Sequence, residues 1–504
     1  MGSVVVRRVA FGFWALGTSL LLGACDTTNN TYVEINKAPS ADAGRTPEPL
    51  EGGVYPSLGA PTPDIAPNTL ELDVFGAVGN HYWLAVSEKQ LNGMNRAFGG
   101  GDLLDRYTPA SGNGTAHFAD RLVVQAAGPS PNTADFGKVQ LKLVGQSTGR
   151  ALTETTLPNF KLDADEFVEG NRIGGVEHLR LNNAILGSIY RERLVLEIYR
   201  AVGYPAPRST YAWVSTSVWG PDVNVPYIAV EPYKRQFCRD REAELGGGCV
   251  NMWEFAGDFG LGVLGLADSC QFEACDNTRV TELEELVLAT PAGEGFKAAL
   301  AAYIDWDAFH RFQCLSWILR TGDDYVYTGN NVLLVERADG KFQFMPYSID
   351  LSLSDDWSVG IAGSSTIPTG CQGDPACWAD TVATCESMID AFTSAQPVAL
   401  LDAIHAELEQ ADMLRSGDEQ IYQALRGVLE QRIEELPAEL ELNRELPALE
   451  CQLPRVLCGN ECLFAEECPI CPPTAPALDA PDGGVPADVP PPDGGAACMP
   501  AEVL

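Results

Sequence analysis

The alternation of apolar and polar residues divides the chain into two regimes. Across 67–232 the period is close to two, which sends successive side chains to opposite faces of a strand. Residues 69–87 (TLELDVFGAVGNHYWLAVS) alternate in places and predict strands, as do 122–126, 139–144, 160–162, 178–181, 211–218 and 225–230. One helix interrupts them. Ser188 is a natural N-cap, Leu194, Ile198 and Val202 recur at i, i+4 and i+8, and Gly203 with Pro205 stops the helix. Across 233–450 the period lengthens. Segments 283–288, 295–304, 306–320, 388–392, 399–408 and 421–435 predict helices, and only 332–335 and 342–347 read as strands. The pattern predicts an α+β fold in which a β-rich part precedes a mainly helical one.

Both ends depart from this pattern. Arg7-Arg8 precede an apolar run from Ala10 to Leu22 that is short for a bilayer span. Leu22-Gly23-Ala24-Cys25 then resembles the bacterial lipoprotein box. Residues 1–24 therefore read as a signal peptide, Cys25 as a lipidated residue, and 25–66, rich in Thr, Asn, Pro and Ala, as a tether. Residues 472–504 are dominated by Pro, Gly, Asp and Ala and are expected to be disordered.

Charge and cysteine content narrow the possibilities. Lys plus Arg number 33 and Asp plus Glu 69, a net charge of −36. Such a field argues against a nucleic-acid partner and against adsorption on anionic lipid. A phosphate site must then be a local basic or metal-lined exception. Of 15 cysteines, setting Cys25 aside leaves 14, an even number that predicts disulfides in an exported protein. Cys238/Cys249, Cys270/Cys275 and Cys371/Cys377 are close enough in sequence to pair. Cys451, Cys458, Cys462, Cys468 and Cys471, within 451–471, are irregularly spaced with no histidine nearby, which favours disulfides over zinc.

The densest candidate chemistry lies in 321–352 (TGDDYVYTGNNVLLVERADGKFQFMPYSIDLS). Asp323-Asp324 come first, Asn330-Asn331 open an apolar strand, and Asp350 follows the next strand. This order suits nucleotide–Mg²⁺ chemistry. One carboxylate, Asp323 or else Asp324, can orient an attacking hydroxyl, while Asn331 (or Asn330) and Asp350 offer hard oxygen ligands to the metal. Asp258-Phe259-Gly260 spells another kinase motif but stands ahead of these residues, where the motif should follow, and reads as coincidence.

Several blocks, in order, resemble the CotH kinase family of atypical protein kinases. KVQLKLVGQSTG at 138–149 resembles its strand and RG turn, with Val144 where Arg is usual. Phe160-Lys161-Leu162 resembles its lysine-bearing strand. HLRLNNAILGSIYRERLVLEIYRAVGYPAPRSTYAWV at 178–214 resembles its strand, helix and corner, and 304–352 resembles its catalytic block. The family's Trp-Asp-x-Asp is here Tyr347, Ser348, Ile349, Asp350, so one of two carboxylates is missing. The resemblance implies a two-lobed protein-kinase-like fold, with a β-rich N-lobe over 67–232 and a helical C-lobe over 233–450. It implies ATP and Mg²⁺ as cofactors. Lys161 would meet the nucleotide phosphates with Glu192 or Glu197 as its helix partner, and Glu231 would stand at the interlobe hinge.

Two functions follow. One is an exported, membrane-tethered kinase acting on Ser or Thr of a surface or coat protein. The other is a non-catalytic surface lipoprotein that keeps the fold as a binding or structural module. The anchor is testable directly. Cys25→Ser is expected to release the mature protein from membranes or leave it unprocessed, and fractionation and migration identical to the parent would remove the anchor.

Overall fold

The computed structural model describes residues 60–99, 117–129, 131–144, 151–184, 188–220, 223–255, 257–259, 270–272, 274–354, 359–444, 455–458 and 461–464. The sequence readings that rest on Cys25, the 26–59 tether, the 145–149 turn and the 472–504 tail lie outside them, as do most of those on 451–471.

The period-two region closes on itself. Strands β1 (Asn80–Ala85), β2 (Phe118–Gln125), β3 (Thr133–Val144), β4 (Asn159–Asp163), β5 (His178–Asn182), β6 (Ser209–Thr216) and β7 (Val225–Val230) form a closed barrel in the order β1-β2-β3-β4-β5-β7-β6. All pairs are antiparallel except β1 with β6, which run parallel and shut the barrel. Inward positions such as Leu122, Leu141, Phe160, Leu162, Leu179 and Leu181 are buried, and the intervening positions face outward. The expected strand over 69–87 is much shorter. The Asp73 carboxylate accepts hydrogen bonds from the amides of Phe75 and Gly76, at 3.3 and 2.8 Å, and this side-chain turn competes with strand pairing until Asn80. Helix α1 (Glu88–Gly99) follows β1 and was not expected.

Helix α2 (Ser188–Ala201) is buried along most of its length, polar residues included. It packs on β6 and β7 on one side and on two later helices on the other, and it touches the 3₁₀ turn at Ile349–Leu351. Residues Asp42–Leu504 accordingly cluster as one unit. After α3 (Arg235–Asp240), strand β8 (Cys249–Phe255) joins β9 (Val332–Arg337) and β10 (Phe342–Pro346) in a three-stranded sheet ordered β10-β9-β8. The helical part therefore carries one strand more than the pattern predicted. In β8 (CVNMWEF) the polar Asn251 is buried against Glu336 of β9, so its apolar alternation is weak.

The remaining helices among the described residues are α4 (Thr278–Ala289), α5 (Phe296–Leu300), α6 (Trp306–Ile318), α7 (Tyr325–Thr328), α8 (Thr366–Gly373), α9 (Pro375–Ser394), α10 (Pro397–Gln410) and α11 (Asp418–Leu442). A short hairpin, β11 (Arg455–Cys458) with β12 (Glu461–Phe464), stands apart as its own sheet. Helix α6 is the central rod and is buried nearly all round. Asp305 caps it, its carboxylate accepting from the Ala308 amide at 3.1 Å, and Arg337 of β9 clamps Asp305. The disulfide Cys314–Cys385 ties α6 to α9. The pairs Cys238–Cys249, Cys270–Cys275 and Cys371–Cys377 form as the spacing suggested.

The C-terminal end of α6 is closed from outside. Arg432 of α11 is buried, donating from Nε to the Ile318 carbonyl at 3.2 Å and from Nη2 to the Trp317 carbonyl at 3.3 Å. The Trp317 carbonyl also accepts from the Arg320 amide at 3.1 Å, whereas no helical amide reaches that of Ile318 among the described residues. Arg432→Met is expected to cost about 3 kcal/mol, because two buried acceptors and Glu439 lose a charged partner. A lower urea midpoint with an unchanged slope would show this; an unchanged midpoint would refute it.

Candidate functional site

Just past α6 the chain turns sharply. Arg320 is left-handed (φ 48°), the Thr321 amide reaches back to the Ser316 carbonyl at 2.9 Å, and Thr321 Oγ1 meets Ser352 Oγ at 3.0 Å. The Leu353 amide donates to the Leu319 carbonyl at 2.7 Å. The segment from 321 to 353 is thus tied at both ends to the end of one helix.

Within it the two aspartates part company. Asp324 is buried and caps α7, accepting from the Val326 amide at 3.0 Å. Burial, only partly opposed by that bond, raises its carboxyl to about pKa 7. Asp323 faces Asn331, whose Nδ2 donates to the Asp323 carboxylate at 2.9 Å and to its carbonyl at 2.7 Å. Asn330 and Thr328 lie farther from the same carboxylate, at 3.4 and 3.5 Å. The tightness of this loop requires glycine at 329, with φ 68°. A Cβ there would stand 2.7 Å from that of Asp258. Asn331 is itself left-handed (φ 48°), a conformation asparagine tolerates better than most residues.

Asp350 arrives by way of the β9–β10 hairpin. Its turn closes with the Arg337 amide on the Lys341 carbonyl and the Gly340 amide on the Arg337 carbonyl, both at 2.9 Å, with Gly340 at φ 80°. Strand β10 is an edge strand, and tyrosines take its outward carbonyls. Tyr204 donates to Phe344 at 2.5 Å and Tyr233 to Pro346 at 2.6 Å. Ser348 then bends the chain (φ 52°) into the 3₁₀ turn bearing Asp350, and Ser348 Oγ lies 3.4 Å from the Asp350 carboxylate. Burial raises the Asp350 carboxyl, with Arg180 opposing the shift and Asp323 adding to it. Burial also raises Asp323. Asp323, Asn331 and Asp350 therefore share one electrostatic neighbourhood.

The residues expected on the barrel side are placed differently from one another. Glu192 is buried, both carboxylate oxygens accepting from Asn182 Nδ2, at 2.7 and 2.8 Å. Burial raises it to about pKa 7, Arg180 opposes this, and Asp350 adds to it. Glu197 pairs with Arg200 on its own helix. Neither glutamate forms an ion pair with Lys161 among the described residues. Arg180 stands beside Glu192 instead. Its Nε donates to Asn182 Oδ1 at 2.9 Å and its Nη1 to the Tyr347 hydroxyl at 3.1 Å. Lys161 lies among Lys142, Arg180, Lys234 and Glu254; burial, then those three cations, lower its ammonium to about pKa 7. Glu231 is already engaged. Arg208 and Arg241 each donate to it at 2.6 Å, and the Arg208 amide adds a bond at 3.0 Å. Burial alone would raise its carboxyl, yet these bonds hold it below the usual range.

Sequence reasoning did not pick out Arg180, Asn182, Lys142, Lys234 or Tyr347. Lys142, Lys161 and Arg180 each sit between two apolar residues in a strand, which does signal one outward face. Asp258 proves structural, its carboxylate accepting from the amide and hydroxyl of Thr366 at the start of α8, at 2.6 and 2.7 Å. His310, Cys371 and Cys377 approach one another, but the two cysteines are joined to each other.

Oxygen donors from Asn331 and Asp350 fit a hard divalent ion, because the Asn331 Nδ2 is used on Asp323 and leaves its amide oxygen. A cation there would also offset the buried carboxylates. With Ser348 at its position, the loop offers one carboxylate.

Residues 149–395 match the family model described as CotH kinase protein. Among solved structures the chain is similar to one from the Shewanella oneidensis MR-1 toxin–antitoxin complex of HipA, HipB and operator DNA. Identity is 12% and the TM-score 0.24, over 61% of this chain and 66% of that one. No curated protein gives a significant match.

The buried Asp324 has a stability signature. Its folded pKa of about 7 lies above the ordinary 3.8, so the native state keeps a proton that the unfolded chain releases. Stability therefore falls as pH rises from 3.8 towards 7. Asp324→Asn keeps the cap acceptor and removes this fall. It should be more stable than the parent by about 2 kcal/mol near neutral pH and above, with the gap closing in acid. Urea midpoints whose difference does not change with pH would refute the assignment.

Proposed function

We propose that this chain is an ATP-dependent kinase of the CotH type. It would be exported, anchored through a lipid on Cys25, and would transfer the γ-phosphoryl group to Ser or Thr of a surface or coat protein. The observation that carries this reading is that Asn331 bonds Asp323 on a loop system where Asp350 feels both Asp323 and the Arg180 of the barrel, whose strand neighbour is Lys161. That arrangement is compatible with a two-lobed kinase plan, the barrel serving as N-lobe and the helical part as C-lobe. Such kinases generally use ATP with Mg²⁺, which would neutralise charge on the transferring phosphoryl group. Asp323 accepts the proton of the attacking hydroxyl, and Asn331 holds it in the orientation to do so. Asp350 and the Asn331 oxygen supply metal ligands. Lys161 and Arg180 face the anionic end of the nucleotide, and Glu231 serves as a structural clamp.

A second reading is favoured by one observation. Ser348 stands where the family has a carboxylate, in a left-handed conformation. On that reading the fold is a binding or structural module at the cell surface.

The two readings part on paired substitutions. Asp350→Ala is expected to abolish Mg²⁺-dependent ATP binding and phosphoryl transfer, with the melting temperature of the ligand-free protein retained. Asp323→Ala is expected to bind nucleotide and lose transfer. Ser348→Asp should raise transfer by restoring a second carboxylate. A parent protein that shows no Mg²⁺-dependent ATP binding by calorimetry would end the kinase reading.

A further inference from the structure

Helix α2 reaches both halves of the site. Its Glu192 lies in the field of Asp350, and its Tyr199 lies in the field of Asp324. Seven residues separate the two, about two helical turns, so they leave the helix on one face roughly 10 Å apart. The same helix packs against the 3₁₀ turn that bears Asp350.

Between Tyr199 and Asp324 stands Ser316 of α6. Burial pushes both the tyrosine and the carboxyl up in pKa, and Ser316, next to each, opposes the shift. The Tyr199 hydroxyl, the Ser316 hydroxyl and Asp324 Oδ2 are all closed off from solvent, and none has a close hydrogen-bond partner elsewhere among the described residues. Three polar groups from three helices are thus left to one another. Buried groups of this kind cost stability unless they are satisfied. A single file satisfies all three, because a serine hydroxyl can accept from a tyrosine and donate to a carboxylate.

The file ends on the residue next to the proton acceptor. Asp324 Oδ1 is used separately, on the Val326 amide at 3.0 Å, which leaves Oδ2 for Ser316. The backbone of Ser316 holds the same loop, its carbonyl accepting from the Thr321 amide at 2.9 Å. Asp323 therefore sits between Thr321 and Asp324, and Ser316 serves both, one through its carbonyl and the other through its side chain.

We propose that Tyr199 and Ser316 are positioning residues for phosphoryl transfer, holding Asp324 so that the carboxylate of Asp323 stays aimed at the attacking hydroxyl. The inference rests on the kinase reading for the role of Asp323, and it adds that this role is set from helix α2. Tyr199 and Ser316 act through Asp324, so their effect falls on the chemical step and spares nucleotide affinity.

The test uses the full chain. Affinity for Mg²⁺-ATP is measured by calorimetry, and transfer as the single-turnover rate of autophosphorylation at saturating Mg²⁺-ATP. Tyr199→Phe and Ser316→Ala should each slow transfer about tenfold, the loss of one buried hydrogen bond, with affinity changed by less than about twofold. Two residues in one file are not additive, so the double variant should be no slower than the slower single variant. Tyr199→Phe removes one oxygen atom and should keep the parent's melting temperature. Tyr303→Phe, whose hydroxyl donates to Glu282 at 3.1 Å on the exterior, should change neither rate nor affinity.

Slower transfer at unchanged affinity, without additivity, supports the positioning role. Parental rates in both single variants overturn it and leave the kinase reading standing. So does a loss of affinity that accounts for the whole loss of rate. Additive losses would split the file into independent contacts and overturn it as well. A loss of rate matched by a loss of folded protein reduces the pair to structural residues. A parent that binds Mg²⁺-ATP and transfers no phosphate overturns the positioning role, and a parent that does not bind it removes the kinase reading too. If Ser316→Ala fails to fold, Tyr199→Phe decides alone.

Discussion

At the C-terminal end of α6, Trp317 and Ile318 are buried, the Arg320 amide meets the first of their carbonyls, and a further donor must meet the second. The guanidinium of Arg432 does so from a helix more than a hundred residues later in the chain. With that end fixed, the left-handed Arg320 can turn the backbone, and Thr321 and Leu319 become anchors for Ser352 and Leu353. Asp323, Asn331 and Asp350 all belong to the loop system suspended between these anchors. Their relative positions thus depend on a helix terminus none of them touches.

The site keeps its charges sorted by sign. Carboxylates of Asp323, Asp350 and Glu192 gather where burial already disfavours ionisation, and the cations gather on the barrel's outer face. Arg180 stands at the boundary, bonded to Tyr347 and Asn182 while feeling Glu192 and Asp350. Neither group is neutralised by the other as fully as ordinary packing would allow. Opposed fields of this kind suit a ligand that carries both an anion and a cation, such as a metal-bound phosphate ester.

Much of this was legible in the sequence, because local chemistry carried it. The barrel strands announce themselves by alternation, α2 by its N-cap and its stop at Gly203, and Asp323, Asn331 and Asp350 by their order along a short segment. What was missed depends on contacts distant in the chain. Register cannot be read from single strands, so the placing of Lys142 and Arg180 opposite Lys161 stayed hidden. The engagement of Glu231 by Arg208 and Arg241 joins three separate loops. Strand β8 is held by pairing with β9, its own pattern being broken by a buried asparagine. The stretch 69–79 failed as a strand for the opposite reason, a local one, since the Asp73 side chain took the amides that pairing needs.

The cross-links are unevenly distributed. Every disulfide among the described residues lies beyond residue 237, and Cys314 must find Cys385 across a separation of 71 residues. The described barrel holds no such link. A chain emerging N-terminus first can therefore close its barrel before any thiol chemistry begins. The part bearing Asp323 and Asp350 matures only where an oxidant is supplied. Synthesis in a reducing compartment would then yield a well-formed barrel joined to an immature helical part, a species that resists proteolysis at one end and yields to it at the other.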